Sequence, residues 1–97
     1  MKTVSVIGSL NIDLVVNTTR LPQAGETLAG HAFHLVPGGK GANQAFAARL
    51  SGAATQMIGC VGNDVFGPLL IDSLKKAGVD TSRVIFQDNT PTGSATI

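Results

Sequence analysis

The stretch VPGGKGANQA, residues 36–45, places three glycines, a lysine and an asparagine between an extended segment and an alanine-rich one. Glycines at 38, 39 and 41 permit positive φ angles and a close approach of the main chain to a ligand. The residues that follow are mostly good helix formers, and Gly52 stands where a left-handed C-cap belongs. The stretch therefore predicts a strand that enters a helix, residues 40–51, through a tight glycine turn.

The predicted helix carries two kinds of apolar residue. Its alanines, at positions 42, 45, 47 and 48, permit a close approach to a sheet. Phe46 and Leu50 are four residues apart and are expected to supply bulk on one side. The first-turn N–H groups of the helix lack intrahelical partners and are expected to donate to ligand oxygens.

Three extended segments precede the turn, at residues 4–8, 12–17 and 28–36. The first is nearly all apolar and β-branched, which favours a central strand that is buried on both faces. Pro22 and Gly25 lie between the second and third segments and are typical of turns. Residues 12–36 are therefore predicted to form a β-flap, or lid, that projects from the main body.

After the turn, residues 54–62 are predicted to form another buried strand, and residues 83–87 and 93–97 two further strands. Residues 65–77 are predicted to form a helix that Asn63 or Asp64 caps and that Gly78 ends. The apolar face of this helix is expected to contain Phe66, Leu70, Leu74 and Ala77.

The order of these segments predicts an α/β fold with a parallel sheet and helices packed on it. A parallel sheet needs cover on both faces, and only two long helices are predicted. Residues 1–97 are therefore interpreted as a single incomplete α/β domain, a truncated product or the first segment of a larger protein.

Two nucleotide-binding loops do not fit the glycine turn. The P-loop needs Gly, four residues and then Gly-Lys-Ser/Thr, but position 34 is His and Lys40 precedes Gly41. The dinucleotide fingerprint needs G-x-G-x-x-G directly after the first strand, where the chain reads GSLNID. A turn with a purely structural role stays open as an alternative.

A second feature favours a ligand site. Asn11 and Asp13 are two residues apart, so both side chains leave an extended segment on the same face. Ligands of open parallel sheets bind outside the carboxyl ends of the strands, where this pair and the glycine turn are both expected. With Asn43 and backbone N–H groups, the pair offers the mixed donors and acceptors that a polyol needs. The alternative is that Asn11 and Asp13 only form a turn.

Composition excludes other classes of partner. The chain has 97 residues, seven basic and six acidic, with a net charge of +1 and no charge runs. This composition gives no electrostatic footprint for nucleic acid or an anionic membrane. Asn11 and Asp13 interrupt the first apolar run before it reaches the length of a signal peptide or membrane span, which indicates a cytoplasmic protein.

No metal site is predicted. His31 and His34 would point to opposite faces of a strand, and no nearby carboxylate completes a ligand set. Cys60, the single cysteine, is expected to be a small buried apolar residue.

Four motifs in order carry a resemblance to a known family: GSLNIDLV (8–15), AGETLAG (24–30), PGGKGANQAFAARLSGA (37–53) and IGCVGNDVFGPLLIDSLKKAGVD (58–80). Over residues 4–97 the chain resembles the amino-terminal part of ribokinase-like carbohydrate kinases, within the phosphofructokinase-B family. The resemblance implies an ATP- and magnesium-dependent kinase that phosphorylates a primary hydroxyl of a sugar, most simply D-ribose. It also implies a homodimer formed through the flap.

The resemblance also implies which residues contact the sugar. These are Asn11, Asp13, Gly39, Lys40 and Asn43, with Ile12, Gly41 and Ala42 inside the same segments. Asp13 would accept hydrogen bonds from two hydroxyls.

The general base and the anion hole of such kinases lie near their carboxyl terminus, so no catalytic residue is assigned in this chain. The 97 residues alone are expected not to phosphorylate sugar. Asp64 is better explained as a helix cap than as a replacement base. Other family substrates, such as fructose, phosphosugars and nucleosides, stay open, as does a non-catalytic sugar-binding or dimerisation module.

Overall fold

The computed structural model describes residues 2–97 and contains six strands and two helices within that range. In chain order these are β1 (Thr3–Ile7), β2 (Asn11–Asn17), β3 (Ala32–Gly38), α1 (Lys40–Leu50), β4 (Ala54–Gly62), α2 (Phe66–Lys76), β5 (Asp80–Gln87) and β6 (Gly93–Thr96). All the predicted elements are present, most of them with ends within one or two residues of those expected. The α/β class predicted from the sequence is confirmed.

The strands form two sheets. The first is parallel, in the order β1-β4-β5, with Thr3 to Ile7 paired in register with Ala54 to Ile58. The second has the order β3-β2-β6, in which β2 pairs antiparallel with β3 and parallel with β6. The expected parallel sheet is therefore accompanied by a second small sheet. The chain passes between the two sheets three times: from β1 to β2, from β3 through α1 to β4, and from β5 to β6. The projecting flap and its lid role stay predictions.

Helix α1 packs through its small residues. Gly41, Ala42 and Ala45 are its buried residues, whereas the Phe46 and Leu50 side chains are 41% and 70% exposed. The prediction that the alanines permit close packing is confirmed at Ala42 and Ala45, and the bulk of Phe46 and Leu50 is largely exposed. Small side chains permit a close approach to β1 and β4 that larger ones would prevent.

Helix α2 packs through larger residues. Leu70 and Leu74 are buried as predicted, and Ile71 and Gly67 are buried as well. Gly78 follows the end of the helix, and its φ of 90° is that of a left-handed cap. Within residues 2–97, neither helix is long and apolar enough to cross a membrane.

One face of the β1-β4-β5 sheet lacks the cover predicted for it. The strand β1 lies at an edge of this sheet, and its Ile7 side chain is 80% exposed. Cys60, on β4, is half-buried and lies 3.2 Å from Gln87 Oε1, to which its thiol donates. The predictions of a buried central first strand and a buried cysteine are therefore wrong for residues 2–97, because both described helices pack on the opposite face.

Strand β3 begins at Ala32, four residues later than expected. The His31 N–H donates to the Asn17 carbonyl at 2.9 Å, which closes the loop between β2 and β3 just before pairing begins. Within this loop, the Arg20 guanidinium binds both carboxylate oxygens of Glu26, at 2.6 and 2.8 Å. Residues 28–31 therefore belong to an ordered connection and not to the strand.

Candidate functional site

The glycine turn lies directly against the start of β2. Gly39 has a φ of 97°, which non-glycine residues rarely adopt. A Cβ at this position would lie 2.7 Å from the Ser9 carbonyl oxygen and 3.0 Å from the Asn11 nitrogen. Only glycine therefore permits both the backbone conformation and the contact, and the turn is fixed beside Asn11.

The first turn of α1 is in contact with the β1–β2 connection. A Cβ on Gly41 would lie 2.7 Å from both the Gly8 carbonyl carbon and the Ser9 nitrogen. The Ala42 N–H donates to the Ser9 carbonyl at 2.9 Å. The two segments that the sequence assigned to one site are therefore held together by main-chain contacts.

Not all the first-turn N–H groups are available to a ligand. Those of Ala42 and Asn43 donate to Ser9 and Gly39 within the chain. Among residues 2–97, the N–H groups of Lys40 and Gly41 have no protein acceptor. The predicted backbone donors are thus reduced to two, at the mouth of the helix.

Asn11 and Asp13 form a connected pair at the start of β2. Asn11 Nδ2 donates to Asp13 Oδ1 at 2.9 Å, which orients both side chains. A Cβ on Gly38 would lie 3.1 Å from Asp13 Oδ2, and a Cβ on Gly93 would lie 3.2 Å from Asn11 Oδ1. The carboxylate thus lies beside the glycine turn, and Asp13 Oδ2 retains lone pairs for hydroxyl donors.

Asn43 faces a cleft on the other side of the turn. This cleft, of about 220 Å³, lies between β3, α1 and α2 and is lined by Pro37, Gly38, Ala42, Asn43, Phe46, Leu70, Ser73 and Leu74. Asn11 and Asp13 do not line it. Gly38 borders both the cleft and the Asp13 carboxylate, so the predicted cavity is two adjoining surfaces that meet at Gly38.

Three of the predicted site residues are buried. The side chains of Ile12 and Ala42 belong to the hydrophobic core, with exposures of 1% and 9%. Gly41 contacts Gly8 and Ser9. We therefore interpret Ile12 and Ala42 as supports for the neighbouring polar residues. Gly41 also serves as a support, and in addition it presents its N–H group.

Asp64 is a helix cap. Its Oδ1 accepts hydrogen bonds from the Phe66 and Gly67 N–H groups, at 3.1 and 3.0 Å. Hydrogen bonds from the backbone N–H and then the hydroxyl of Thr92 hold the pKa of Asp64 below its usual value. A carboxylate that is stabilised in its charged form is a poor proton acceptor, which agrees with a cap and not a general base.

Sequence reasoning missed the contribution of β6. Gly93 is paired with Asn11 in the β2–β6 ladder, and its lack of a side chain leaves room for Asn11 Oδ1. The only sequence signal was the turn DNTPTG before a short strand, which does not indicate the pairing partner.

The fold and site define an α/β protein in which a glycine turn and an Asn-x-Asp strand present hydrogen-bonding groups at one edge. The chain belongs to a family of carbohydrate kinases: the family model described as "pfkB family carbohydrate kinase" matches residues 1–97. The resemblance noted from the sequence motifs is thereby confirmed.

Named relatives agree with this family. The chain is 46% identical over 97 residues to a ribokinase of Bacillus subtilis (strain 168), covering 100% of this chain and 33% of that protein. It is 55% identical over 80 residues to a ribokinase of Lactococcus lactis subsp. lactis, covering 81% of this chain and 27% of that protein. The chain therefore spans about a third of the length of these curated relatives.

A solved structure confirms the fold. The structure of Arabidopsis thaliana ribokinase complexed with ribose and ATP matches with a TM-score of 0.86 and 37% identity. The match covers 96% of this chain and 30% of that chain. The arrangement of two helices and two sheets is thus that of the matched part of a ribokinase.

Proposed function

We propose that this chain is the sugar-binding amino-terminal part of an ATP-dependent kinase that transfers the γ-phosphoryl group to a primary hydroxyl of a sugar, D-ribose in the first instance. The observation that carries the proposal is the Asn11–Asp13 pair, held against the glycine turn at Gly38 and Gly39. The match to a ribokinase complexed with ribose and ATP supports ribose as the substrate to test first.

The groups at the turn suit a polyhydroxylated ligand. Each sugar hydroxyl both donates and accepts, and Asp13 Oδ2 can accept from two of them. The free N–H groups of Lys40 and Gly41, with the Lys40 ammonium and the Asn43 amide, supply donors on the adjoining surface. These residues would bind and orient the acceptor sugar, which contributes to rate by fixing its hydroxyl in place.

The proposal assigns ATP and magnesium to the complete protein. Among residues 2–97 no group of three or more His, Cys, Asp or Glu side chains is arranged to hold a metal ion. Phosphoryl transfer needs stabilisation of the transferred group as well as positioning of the acceptor, and this chain is assigned the second task only. We place the reaction in the cytoplasm, and cell fractionation tests that placement.

The proposed activity is tested on the product of the complete reading frame. A coupled assay with ATP and magnesium should show the highest kcat/KM for D-ribose among ribose, 2-deoxyribose, fructose and nucleosides. If fructose 1-phosphate or fructose 6-phosphate were preferred, Lys40 would be reassigned as a charge partner for a phosphate. Sugar binding without any turnover would favour the non-catalytic module and contradict the kinase.

We also propose a homodimer formed through strands β2 and β3. Apolar side chains on one face of these two strands are exposed: Val16 is 41%, Leu35 42% and Phe33 62% exposed. Burying them against a second copy would remove apolar surface from water. Sedimentation of the complete protein should give a dimer, and Phe33→Ser should shift it towards monomer; a monomeric wild type would contradict the proposal.

A further inference from the structure

The carboxylate of Asp64 makes more contacts than a helix cap requires. Capping uses Oδ1 alone, through the Phe66 and Gly67 N–H groups. The Thr92 hydroxyl also donates to Oδ1 at 2.7 Å, and the Thr92 N–H donates to Oδ2 at 2.8 Å. One carboxylate therefore joins the start of α2 to the residue just before β6.

Thr92 is fully engaged and nearly inaccessible, with 5% of its surface exposed. Besides donating to Asp64, its hydroxyl accepts from the Gly62 N–H at 2.9 Å. A Cβ on Gly62 would lie 2.4 Å from the Thr92 nitrogen, so glycine is required for this approach. The end of β4, the start of α2 and the start of β6 are thus packed into one arrangement.

This arrangement leads directly to the proposed sugar site. The residue after Thr92 is Gly93, which pairs with Asn11 and lies close to Asn11 Oδ1. Asn11 in turn donates to Asp13. Since β6 pairs with β2 from Gly93 onward, the segment that Asp64 holds lies directly beside Asn11.

We propose that Asp64 and Thr92 are positioning residues: their paired hydrogen bonds fix the start of β6 and thereby hold Asn11 and Asp13 in the geometry that binds the sugar. The inference rests on the proposed function, because it assigns these residues a part in sugar affinity. Neither residue touches the sugar, and each acts through Gly93 and Asn11.

We call the paired hydrogen bonds between Asp64 and Thr92 the clamp. The variants below distinguish the clamp from the capping of α2 by Asp64. Asp64→Asn keeps a side-chain oxygen for the α2 N–H groups, since Asn is a good N-cap. Its amide would then face the Thr92 N–H donor, so the second link is lost. Thr92→Val keeps the shape of the side chain and removes the hydroxyl, and Thr92→Ser restores the hydroxyl.

A matched control is available at Asp80. Its Oδ1 accepts from the Ser82 N–H at 2.9 Å, so its carboxylate also accepts a hydrogen bond from a nearby main-chain N–H. Asp80 lies at the opposite end of β5 from the β5–β6 connection. Asp80→Asn makes the same chemical change as Asp64→Asn without touching β6.

In the complete protein, we expect Asp64→Asn, which loses one hydrogen bond, to raise the KM for sugar about tenfold. Thr92→Val loses the hydroxyl's bonds to both Asp64 and Gly62 and should raise the KM for sugar at least as much. The KM for ATP should stay unchanged, and Thr92→Ser and Asp80→Asn should match the wild type. Hydrogen exchange of the Gly93–Thr96 amides should quicken in the first two variants only. A general loss of structure would alter the KM values for both sugar and ATP. A change in the KM for sugar alone is therefore not expected from a purely structural role.

Two results would overturn the inference, and they differ from each other. Faster hydrogen exchange in β6 with an unchanged KM for sugar would show that the clamp does not affect sugar affinity. The proposed function would not be contradicted by that result. A wild-type protein that binds no sugar would overturn the proposed function and the clamp together. If Asp64→Asn did not fold, the comparison of Thr92→Val with Thr92→Ser would decide the question.

Discussion

Replacing Asp13 by Ala in the complete protein is expected to weaken sugar binding by about 10- to 150-fold, or roughly 1.5 to 3 kcal/mol, the range for hydrogen bonds to a charged group. The carboxylate is oriented by Asn11 Nδ2, and its Oδ2 lies beside the glycine turn. Its removal takes away the strongest acceptor of the proposed site and leaves an Asn11 donor without its partner. Isothermal titration calorimetry with D-ribose measures the effect.

The control for this change is Asp72→Ala. Asp72 is exposed on α2 and shares a surface with Ile12 and Leu35, on the face of β2 opposite Asp13. It changes the net charge by the same amount as Asp13→Ala, so a difference between the two variants measures position and not charge. Equal ribose affinity in the wild type and Asp13→Ala would show that Asp13 does not bind the sugar.

The elements that were predicted well have strong local signals. Helix α2 combines a regular apolar face with a cap at each end, and Asp64 and Gly78 both act as the sequence indicated. The glycine turn was also predictable, because glycines between a strand and a helix indicate a close main-chain approach. Only Gly39 uses a positive φ there, whereas Gly41 is needed for its contact with Gly8 and Ser9.

The features that were predicted wrongly depend on partners distant in sequence. The i, i+4 spacing of Phe46 and Leu50 left open whether their bulk is buried, and the structure buries Ala42 and Ala45 instead. Whether β1 is an edge or central strand depends on which strand pairs with its free side, which its apolar composition does not encode. The same limit hid the pairing of Gly93 with Asn11.

The neighbourhood of the candidate residues was predictable in part, and their roles in binding stay predictions. The spacing of Asn11 and Asp13 placed them on one face, and the structure joins them by a hydrogen bond. In the structure, Gly38 lies between this pair and the Asn43 cleft. Successive residues of β3 face opposite sides of the sheet, so Gly38, opposite Asn11, lies on the side of the pair, and Pro37, opposite Ile12, lies on the other side. Such a division requires knowledge of the β2–β3 register, which the sequence did not supply.

Gly39→Ala is expected to have the largest effect on stability, lowering the free energy of unfolding by about 2 to 5 kcal/mol. About 1 to 2 kcal/mol of this is the cost of a non-glycine residue with positive φ, and about 1 to 3 kcal/mol is the cost of overpacking. The added methyl group would lie 2.7 Å from the Ser9 carbonyl oxygen and 3.0 Å from the Asn11 nitrogen, and these two atoms belong to the main chain, which cannot move aside as a flexible side chain could. Urea denaturation of the complete protein measures the loss, and ribose binding should weaken with it because Asn11 is displaced.

Gly52→Ala separates the two costs. Gly52 has a φ of 98°, almost the same as the 97° of Gly39, but a Cβ there would meet nothing within 4 Å. Gly52→Ala should therefore lose only the conformational part, about 1 to 2 kcal/mol, and leave ribose affinity unchanged. If both variants lost the same stability, the contact between Gly39 and Ser9 would contribute nothing, and the turn would be fixed by its backbone angle alone. A Gly39→Ala protein that binds ribose normally would show that the start of β2 does not depend on the turn.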